Sequence, residues 1–192
     1  MDRARIIYGV YIALLVIFMG LVTLTPYLAF SDTGAAKSLY SAFAPTCHQK
    51  ISRSLCLFEG NGTWIGDCTP QNGIYVADNK ETISEIVSGA LGYKFPVCSR
   101  DIGIYLFMLL GAIAYPFVFK LDSKAILPPI LLILAIVPLA IDGTLQLVSD
   151  LGISIGPIHA YESTNLLRLL TGGLAGFAVS FYLIPILNRM FG

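Results

Sequence analysis

Four long apolar blocks constrain the fold of this chain more than any other feature of its sequence. A membrane-spanning helix needs roughly 17 to 25 mostly apolar residues, and the blocks at residues 6–30, 102–119, 125–141 and about 166–191 reach that length. Charged residues make up only 12% of the chain, about half of the roughly 25% found in soluble domains. Because so little polar surface cannot cover four apolar helices in water, the sequence predicts an all-α integral membrane protein with four transmembrane helices.

The charge balance limits the kinds of molecule that the protein is expected to bind. Twelve Lys and Arg residues are matched by twelve Asp and Glu residues, so the basic surface typical of nucleic-acid-binding proteins is not indicated. Apolar residues are abundant and come in long blocks, which argues against a disordered or coiled-coil chain. We therefore expect membrane lipid as a partner and no nucleic acid, with a homo-oligomer or a larger membrane complex as open alternatives.

Basic residues near the ends of the blocks predict the orientation. Lys and Arg in short loops favour the cytoplasmic side, and the short loop at residues 142–165 contains neither. The opposite side of the predicted bundle holds Arg3, Arg5, Lys120, Lys124 and Arg189. We therefore expect a multi-pass protein of the cell membrane with both termini cytoplasmic.

The first apolar block has two interpretations. Arg3 and Arg5 precede it, as in a cleaved signal peptide, but its apolar stretch is about twice as long as the 7 to 15 residues usual there. No A-x-A cleavage site follows, which favours a retained anchor. The chain is then divided into a cytoplasmic N-terminus with the first helix (1–30), an extracytoplasmic loop domain (31–101) and helices two to four (102–192).

All four cysteines fall in the predicted extracytoplasmic loop between helices one and two. An even number of cysteines in an oxidising compartment is typical of a disulfide framework, and four cysteines allow three pairings. Cys56 and Cys68 bracket a turn-rich stretch suited to a small closed loop, which leaves Cys47 to pair with Cys98. No CxxC motif occurs, so the signature of a zinc ribbon or a redox dithiol is missing.

Two stretches of this loop have the spacing of short amphipathic helices. In residues 79–92 apolar side chains fall on one helical face and acidic ones on the other. Residues 38–43 are interpreted as a second helix, lying on the membrane. Residues 61–63 read Asn-Gly-Thr, a glycosylation sequon whose use the sequence leaves open.

Polar residues gather at the predicted outer ends of helices two, three and four. Ionisable residues are costly at the membrane and are candidates for a functional site, whereas the cytoplasmic halves of these helices carry no comparable group. Helix two opens with Arg100, and helix three ends at Asp142 with Gln146 one turn further on. Helix four opens with Glu162 and continues in a small or polar stripe at helical spacing, formed by Asn165, Arg168, Gly172, Gly176 and Ser180.

These residue types suit chemistry on an anionic substrate. A histidine near carboxylates can serve general acid or base catalysis, so catalytic roles are assigned to His48, Asp142 and Glu162. Guanidinium groups and amides suit an oxyanion. Substrate-binding roles are assigned to Arg53, Arg100, Gln146, Asn165 and Arg168.

A structural interpretation of the same residues stays open. Arg100 could form an interhelical ion pair with Asp101 or Asp142, and Glu162 with Ser163 could cap helix four. A zinc or copper half-site at Cys47 and His48 is disfavoured, because a cysteine in a disulfide cannot be a ligand. No metal site is therefore predicted, and the cofactor stays unknown.

Four ordered motifs make the chain similar to a known family. They read CHQxxxRS from Cys47, CxRxxG from Cys98, DGxxQ from Asp142 and STNxxRxxTG from Ser163. Over residues 48–176 the chain resembles a family of small prokaryotic membrane proteins catalogued as a domain of unknown function. The resemblance implies that the motif residues act as a unit, and it implies no particular reaction.

The function favoured by these features is that of a membrane enzyme acting on an anionic lipid or lipid-linked substrate at the extracytoplasmic face. One alternative is a protein that binds or transports a small solute or ion between helices two, three and four. Others are a thiol oxidoreductase of the four-helix quinone-reducing type, which lacks its CxxC here, and an accessory subunit of a membrane complex.

Overall fold

The computed structural model describes residues 3–31, 33–46, 51–68, 84–87, 90–153 and 161–192. Within these residues the chain is mostly helical and forms α1 (Arg3–Ser31), α2 (Thr33–Phe43), α3 (Ser99–Val118), α4 (Pro129–Asp150) and α5 (Asn165–Phe191). The strands are β1 (Leu55–Glu59), β2 (Thr63–Asp67), β3 (Ser84–Val87) and β4 (Ala90–Lys94). In the described part of the chain, four helices are long and apolar enough to cross a membrane, namely α1, α3, α4 and α5.

The prediction of an all-α fold is wrong between α2 and α3, where the chain forms a four-stranded antiparallel sheet in the order β2-β1-β4-β3. The helix expected at residues 79–92 is wrong for the described part of that range, where residues 84–87 and 90–92 belong to strands; the remainder lies outside the described residues. A short apolar run fits a helix or a strand equally well, and pairing with β1 decides between them. A side chain at Gly92 would collide with the ring of Phe58 on β1, so this close contact requires glycine. The helix expected at residues 38–43 is present as the second part of α2.

The chain divides into two compact units, Met1–Ile17 with Arg100–Gly192 and Phe18–Ser99. In the second unit the predicted disulfide between Cys56 and Cys68 is present, with Cα atoms 5.2 Å apart. Both cysteines are buried in a small apolar cluster with Phe58. The pairing of Cys47 with Cys98 stays a prediction, because Cys47 lies outside the described residues.

Close contact between α3 and α5 organises the first unit. A Cβ atom at Gly103 on α3, or at Gly172 or Gly176 on α5, would overlap backbone atoms of the facing helix. This confirms the close approach predicted from the G-x-x-x-G pattern. Ser180 continues the stripe, and its hydroxyl donates to the carbonyl of Met108 across the same contact at 2.7 Å.

The first part of α1 joins this bundle through two tyrosines. The hydroxyl of Tyr8 donates to the carbonyl of Ala112 at 3.0 Å, and that of Tyr11 lies 2.8 Å from the hydroxyl of Ser180. Apolar side chains surround these bonds. The hydroxyl groups of Tyr8, Tyr11 and Ser180 are thus hydrogen-bonded, as burial in an apolar medium requires.

The third spanning helix lies further along the chain than predicted. The apolar pattern placed it at residues 125–141, whereas α4 begins at Pro129 and ends at Asp150. Proline is favoured in the first turn of a helix because its missing N–H needs no partner there. Asp142 and Gln146 consequently lie within α4 and not beyond its end.

Candidate functional site

Polar side chains from three helices meet at one end of the first unit. Arg100 lies in the first turn of α3, and Asp142 and Gln146 lie one turn apart on the same face of α4. The Nη2 atom of Arg100 donates to Oδ2 of Asp142 and to Oε1 of Gln146, the second bond measuring 3.2 Å. One guanidinium therefore links α3 to two successive turns of α4. We call Arg100, Asp142, Gln146, Tyr161 and Arg168 the ionic end of the bundle.

Tyr161 is a further partner of Asp142. Its hydroxyl donates to Oδ1 of Asp142 at 2.9 Å, so both carboxylate oxygens accept a hydrogen bond. Burial raises the pKa of the Tyr161 phenol, and the neighbouring Asp142 carboxylate raises it further. The phenol therefore stays protonated near neutral pH and acts as a donor. A carboxylate engaged on both oxygens is suited to positioning Arg100 and poorly suited to proton transfer.

Gln146 uses only its acceptor within the ionic end. It is 3% exposed, and its Nε2 atom has no hydrogen-bond partner among the described residues. The Nε atom of Arg100 likewise lacks one in the part of the chain that the structure describes. A buried donor left without an acceptor costs about 1–3 kcal/mol. Two such donors therefore lie beside one hydrogen bond.

The start of α5 adds a second arginine. Thr164 caps the helix, since its Oγ1 accepts from the backbone N–H of Leu167 at 3.2 Å, so the cap is not the one considered for Glu162 and Ser163. Arg168 is 1% exposed, and its Nη2 atom lies 3.9 Å from Oε1 of Glu162, whose side chain is 52% exposed. A buried guanidinium thus faces a carboxylate that is largely in solvent. Asn165 is buried in the first turn of the same helix.

The structure places the predicted site residues in different regions. It brings Arg100, Asp142 and Gln146 together, and it places Arg168 beside Glu162. Arg53 belongs to the second unit, where its carbonyl accepts from the hydroxyl of Ser99 at 3.2 Å. His48 lies outside the described residues, so its role stays a prediction.

Sequence reasoning missed Tyr161, although a tyrosine shortly before a helix start has a hydroxyl that needs a partner when it is buried.

Sequence reasoning also missed the polar contacts at the opposite end of α5, where no comparable polar group was expected. There the hydroxyl of Tyr182 donates to the carbonyl of Pro128 at 2.7 Å, and Nδ2 of the buried Asn188 donates to that of Leu121 at 2.7 Å. Nε of Arg189 donates to the carbonyl of Lys124. We call Tyr182, Asn188 and Arg189 the linker end, because they bind the α3–α4 linker.

Among the described residues, no group of three or more His, Cys, Asp or Glu side chains is arranged to hold a metal ion. The donors of the ionic end are instead guanidinium, carboxamide and phenol groups. These groups recognise oxygen atoms of a ligand and do not resemble a cation site.

Four apolar helices and a polar cluster at their ends define a membrane protein, and comparison with known proteins agrees. Residues 89–182 match the family model described as "Predicted membrane protein (DUF2085)". The chain is 32% identical over 187 residues to the Uncharacterized protein MJ1492 of Methanocaldococcus jannaschii, covering 94% of this chain and 92% of the relative. The chain therefore belongs to this family of predicted membrane proteins. No solved structure matches it.

Proposed function

We propose that this membrane protein binds the anionic headgroup of a lipid or lipid-linked substrate at the ionic end, on the extracytoplasmic face. The observation that carries the proposal is the placement of two arginines, Arg100 and Arg168, at one end of a bundle of apolar helices. Guanidinium groups in this position suit phosphate or carboxylate groups, because their N–H donors form a planar fork.

Burial supports a binding role for this end. The side chain of Arg100 is 22% exposed and that of Arg168 is 1% exposed, so both are largely removed from water. Their effective interaction with an anion is stronger there than at a solvated surface. Asp142 holds Arg100 in place and is a positioning residue within this proposal. Glu162 and His48 are the residues that we assign to acid or base chemistry on the bound substrate.

The extracytoplasmic orientation follows from the basic residues at the other end. Lys120, Lys124 and Arg189 lie in or beside the α3–α4 linker, and short loops rich in Lys and Arg favour the cytoplasm. The ionic end lies at the start of α3 and towards the end of α4, away from this linker. We accordingly place it outside.

Native mass spectrometry of the detergent-purified protein tests the proposal. We expect the wild type to retain an anionic lipid or lipid-linked molecule, and Arg168→Gln to lose it. Because removal of a buried charge can impair folding, Arg168→Lys provides a second variant that keeps the charge and lacks the planar fork. Arg189→Gln is the matched control, since it removes an exposed arginine at the opposite end of the same helix.

The expected pattern is reduced retention in both Arg168 variants and wild-type retention in the Arg189 variant. Equal retention of the same lipids by all four proteins would show that binding occurs elsewhere and would overturn the proposal. Failure of the wild type to retain any anionic molecule, even after reconstitution with anionic lipid, would overturn it as well.

A further inference from the structure

We propose that Gln146 is an oxyanion-contacting residue, whose Nε2 atom, together with Nε of Arg100, receives the oxygens of a phosphate group. This inference rests on the proposed function and specifies the chemistry of its ligand. It assigns the buried amide a direct contact with the ligand, which is separate from its hydrogen bond to Arg100.

The orientation of the carboxamide supports this assignment. Oε1 of Gln146 accepts from Nη2 of Arg100 at 3.2 Å, which fixes the amide with Nε2 pointing away from that bond. Nε2 is buried and has no acceptor among the described side chains and backbone groups. A glutamine in an apolar helix with its acceptor in use and its donor unused is arranged for an incoming acceptor.

Arg100 presents a second donor beside the first. Its Nη2 atom is occupied by Asp142 and Gln146, whereas its Nε atom is buried and lacks a partner in the described part of the chain. An oxyanion has several acceptor oxygens and no obligatory donor, so it can satisfy both N–H groups at once. An ammonium group has no acceptor and would leave both of them unsatisfied.

Gly143 lies against this guanidinium. It lies between Asp142 and Gln146 along α4, and a Cβ atom built on it would lie 3.6 Å from Nη1 of Arg100. That distance is ordinary contact, so Gly143→Ala fits the fold while adding a methyl group against Nη1 of Arg100. Alanine also favours a helix more than glycine does, and the variant therefore probes space without weakening α4.

The matching phosphate group has two sources, a lipid headgroup or free phosphate. Binding to the purified protein in a neutral detergent is measured with two probes, dioctanoyl phosphatidic acid and inorganic phosphate. Affinity for the lipid alone indicates a headgroup site, whereas affinity for inorganic phosphate alone supports the oxyanion contact and overturns the lipid part of the proposed function.

The decisive variant is Gln146→Glu, which keeps the shape and the acceptor for Arg100 but replaces the Nε2 donor with an anionic oxygen. We expect its affinity for the bound probe to fall about tenfold to a hundredfold, the effect of losing a hydrogen bond to a charged group. Thermal unfolding of the same variant separates this loss from the cost of burying a second carboxylate near Asp142. Gly143→Ala should weaken binding with an unchanged or raised melting temperature. The matched control is Asn188→Asp, which alters the buried amide of the linker end and should leave probe affinity unchanged.

Wild-type affinity in Gln146→Glu, combined with loss of binding in Arg168→Lys, would overturn the inference and leave the proposed function standing. Unchanged affinity in both variants would overturn both. If wild-type protein bound neither probe, the oxyanion assignment would be wrong, whatever lipid copurified with the protein.

Discussion

The two ends of the α3–α5 bundle use polar residues in different ways. At the linker end, Asn188 and Arg189 donate to backbone carbonyls of the neighbouring linker. At the ionic end, Arg100 and Tyr161 donate to a side chain, the carboxylate of Asp142. One end joins side chains to the backbone, and the other joins side chains to each other.

This difference distinguishes a structural contact from a candidate site. Backbone carbonyls in a short linker need donors wherever they are buried, so the bonds of Asn188 are explained by the fold alone. The fold does not require an arginine, an aspartate and a glutamine to meet between α3 and α4, and it leaves the Nε2 donor of Gln146 without an acceptor in the described residues. The two ends therefore differ in which atoms are left without a partner among the described residues: donors of Arg100 and Gln146 at the ionic end, and the acceptor Oδ1 of Asn188 at the linker end.

The largest expected effect tests the ion pair of the ionic end. Asp142→Ala removes the partner of Arg100 and should lower the free energy of unfolding by about 3 to 5 kcal/mol, because a largely buried charge loses its counter-ion. The double variant Arg100→Met with Asp142→Leu should recover most of that stability. This double variant should not bind the ligand. Thermal unfolding in detergent measures both. A double variant that is less stable than Asp142→Ala would contradict the assignment of a simple pair.

The next effect tests the helix contact that both ends share. Gly176→Val places a side chain against the backbone of Ile104 and should cost about 2 to 3 kcal/mol through overpacking that no rotamer relieves. Gly9→Val on α1 is the control, since nothing lies within 4 Å of a Cβ atom there. Thermal unfolding of the two variants gives the difference. Equal melting temperatures would show that α3 and α5 are not in close contact.

The smallest effect concerns the linker end. Asn188→Leu leaves the carbonyls of Leu121 and Ser123 without their donor and should destabilise the protein by about 1 to 2 kcal/mol. Ligand affinity should not change. A melting curve and a binding isotherm for inorganic phosphate or dioctanoyl phosphatidic acid measure the two properties separately. Loss of affinity without loss of stability would show that the linker end takes part in ligand binding, which would contradict the distinction between the two ends.

Much of the helical framework could be predicted, because spanning helices depend on local composition. Long apolar stretches indicated α1, α3 and α5 to within a few residues, and the spacing of Gly172 and Gly176 indicated a close helix contact. The bounds of α4 were less accurate, since Asp142 and Gln146 looked like the end of an apolar block. A helix continues through polar residues where another helix supplies their partners, and a hydropathy pattern does not contain that information.

The sheet of the second unit could not be predicted in the same way. The segment around Ile86 and Leu91 fits helical spacing, yet its described residues form β3 and β4. Strands depend on partners distant in sequence, and here β4 pairs with β1 more than 30 residues earlier. Cys56 and Cys68, by contrast, are close in sequence, so their pairing was accessible from spacing alone.

By itself the sequence determined the features that depend on neighbouring residues: the apolar spans, the short disulfide loop and the small-residue stripe of α5. The tertiary structure alone decided the partners, pairing Arg100 with Asp142, bringing Tyr161 to the same carboxylate and leaving Nε2 of Gln146 without an acceptor among the described residues. The physical reason is that hydropathy is a local property of the chain. Hydrogen bonds between α3, α4 and the start of α5 exist only after these helices have packed against one another.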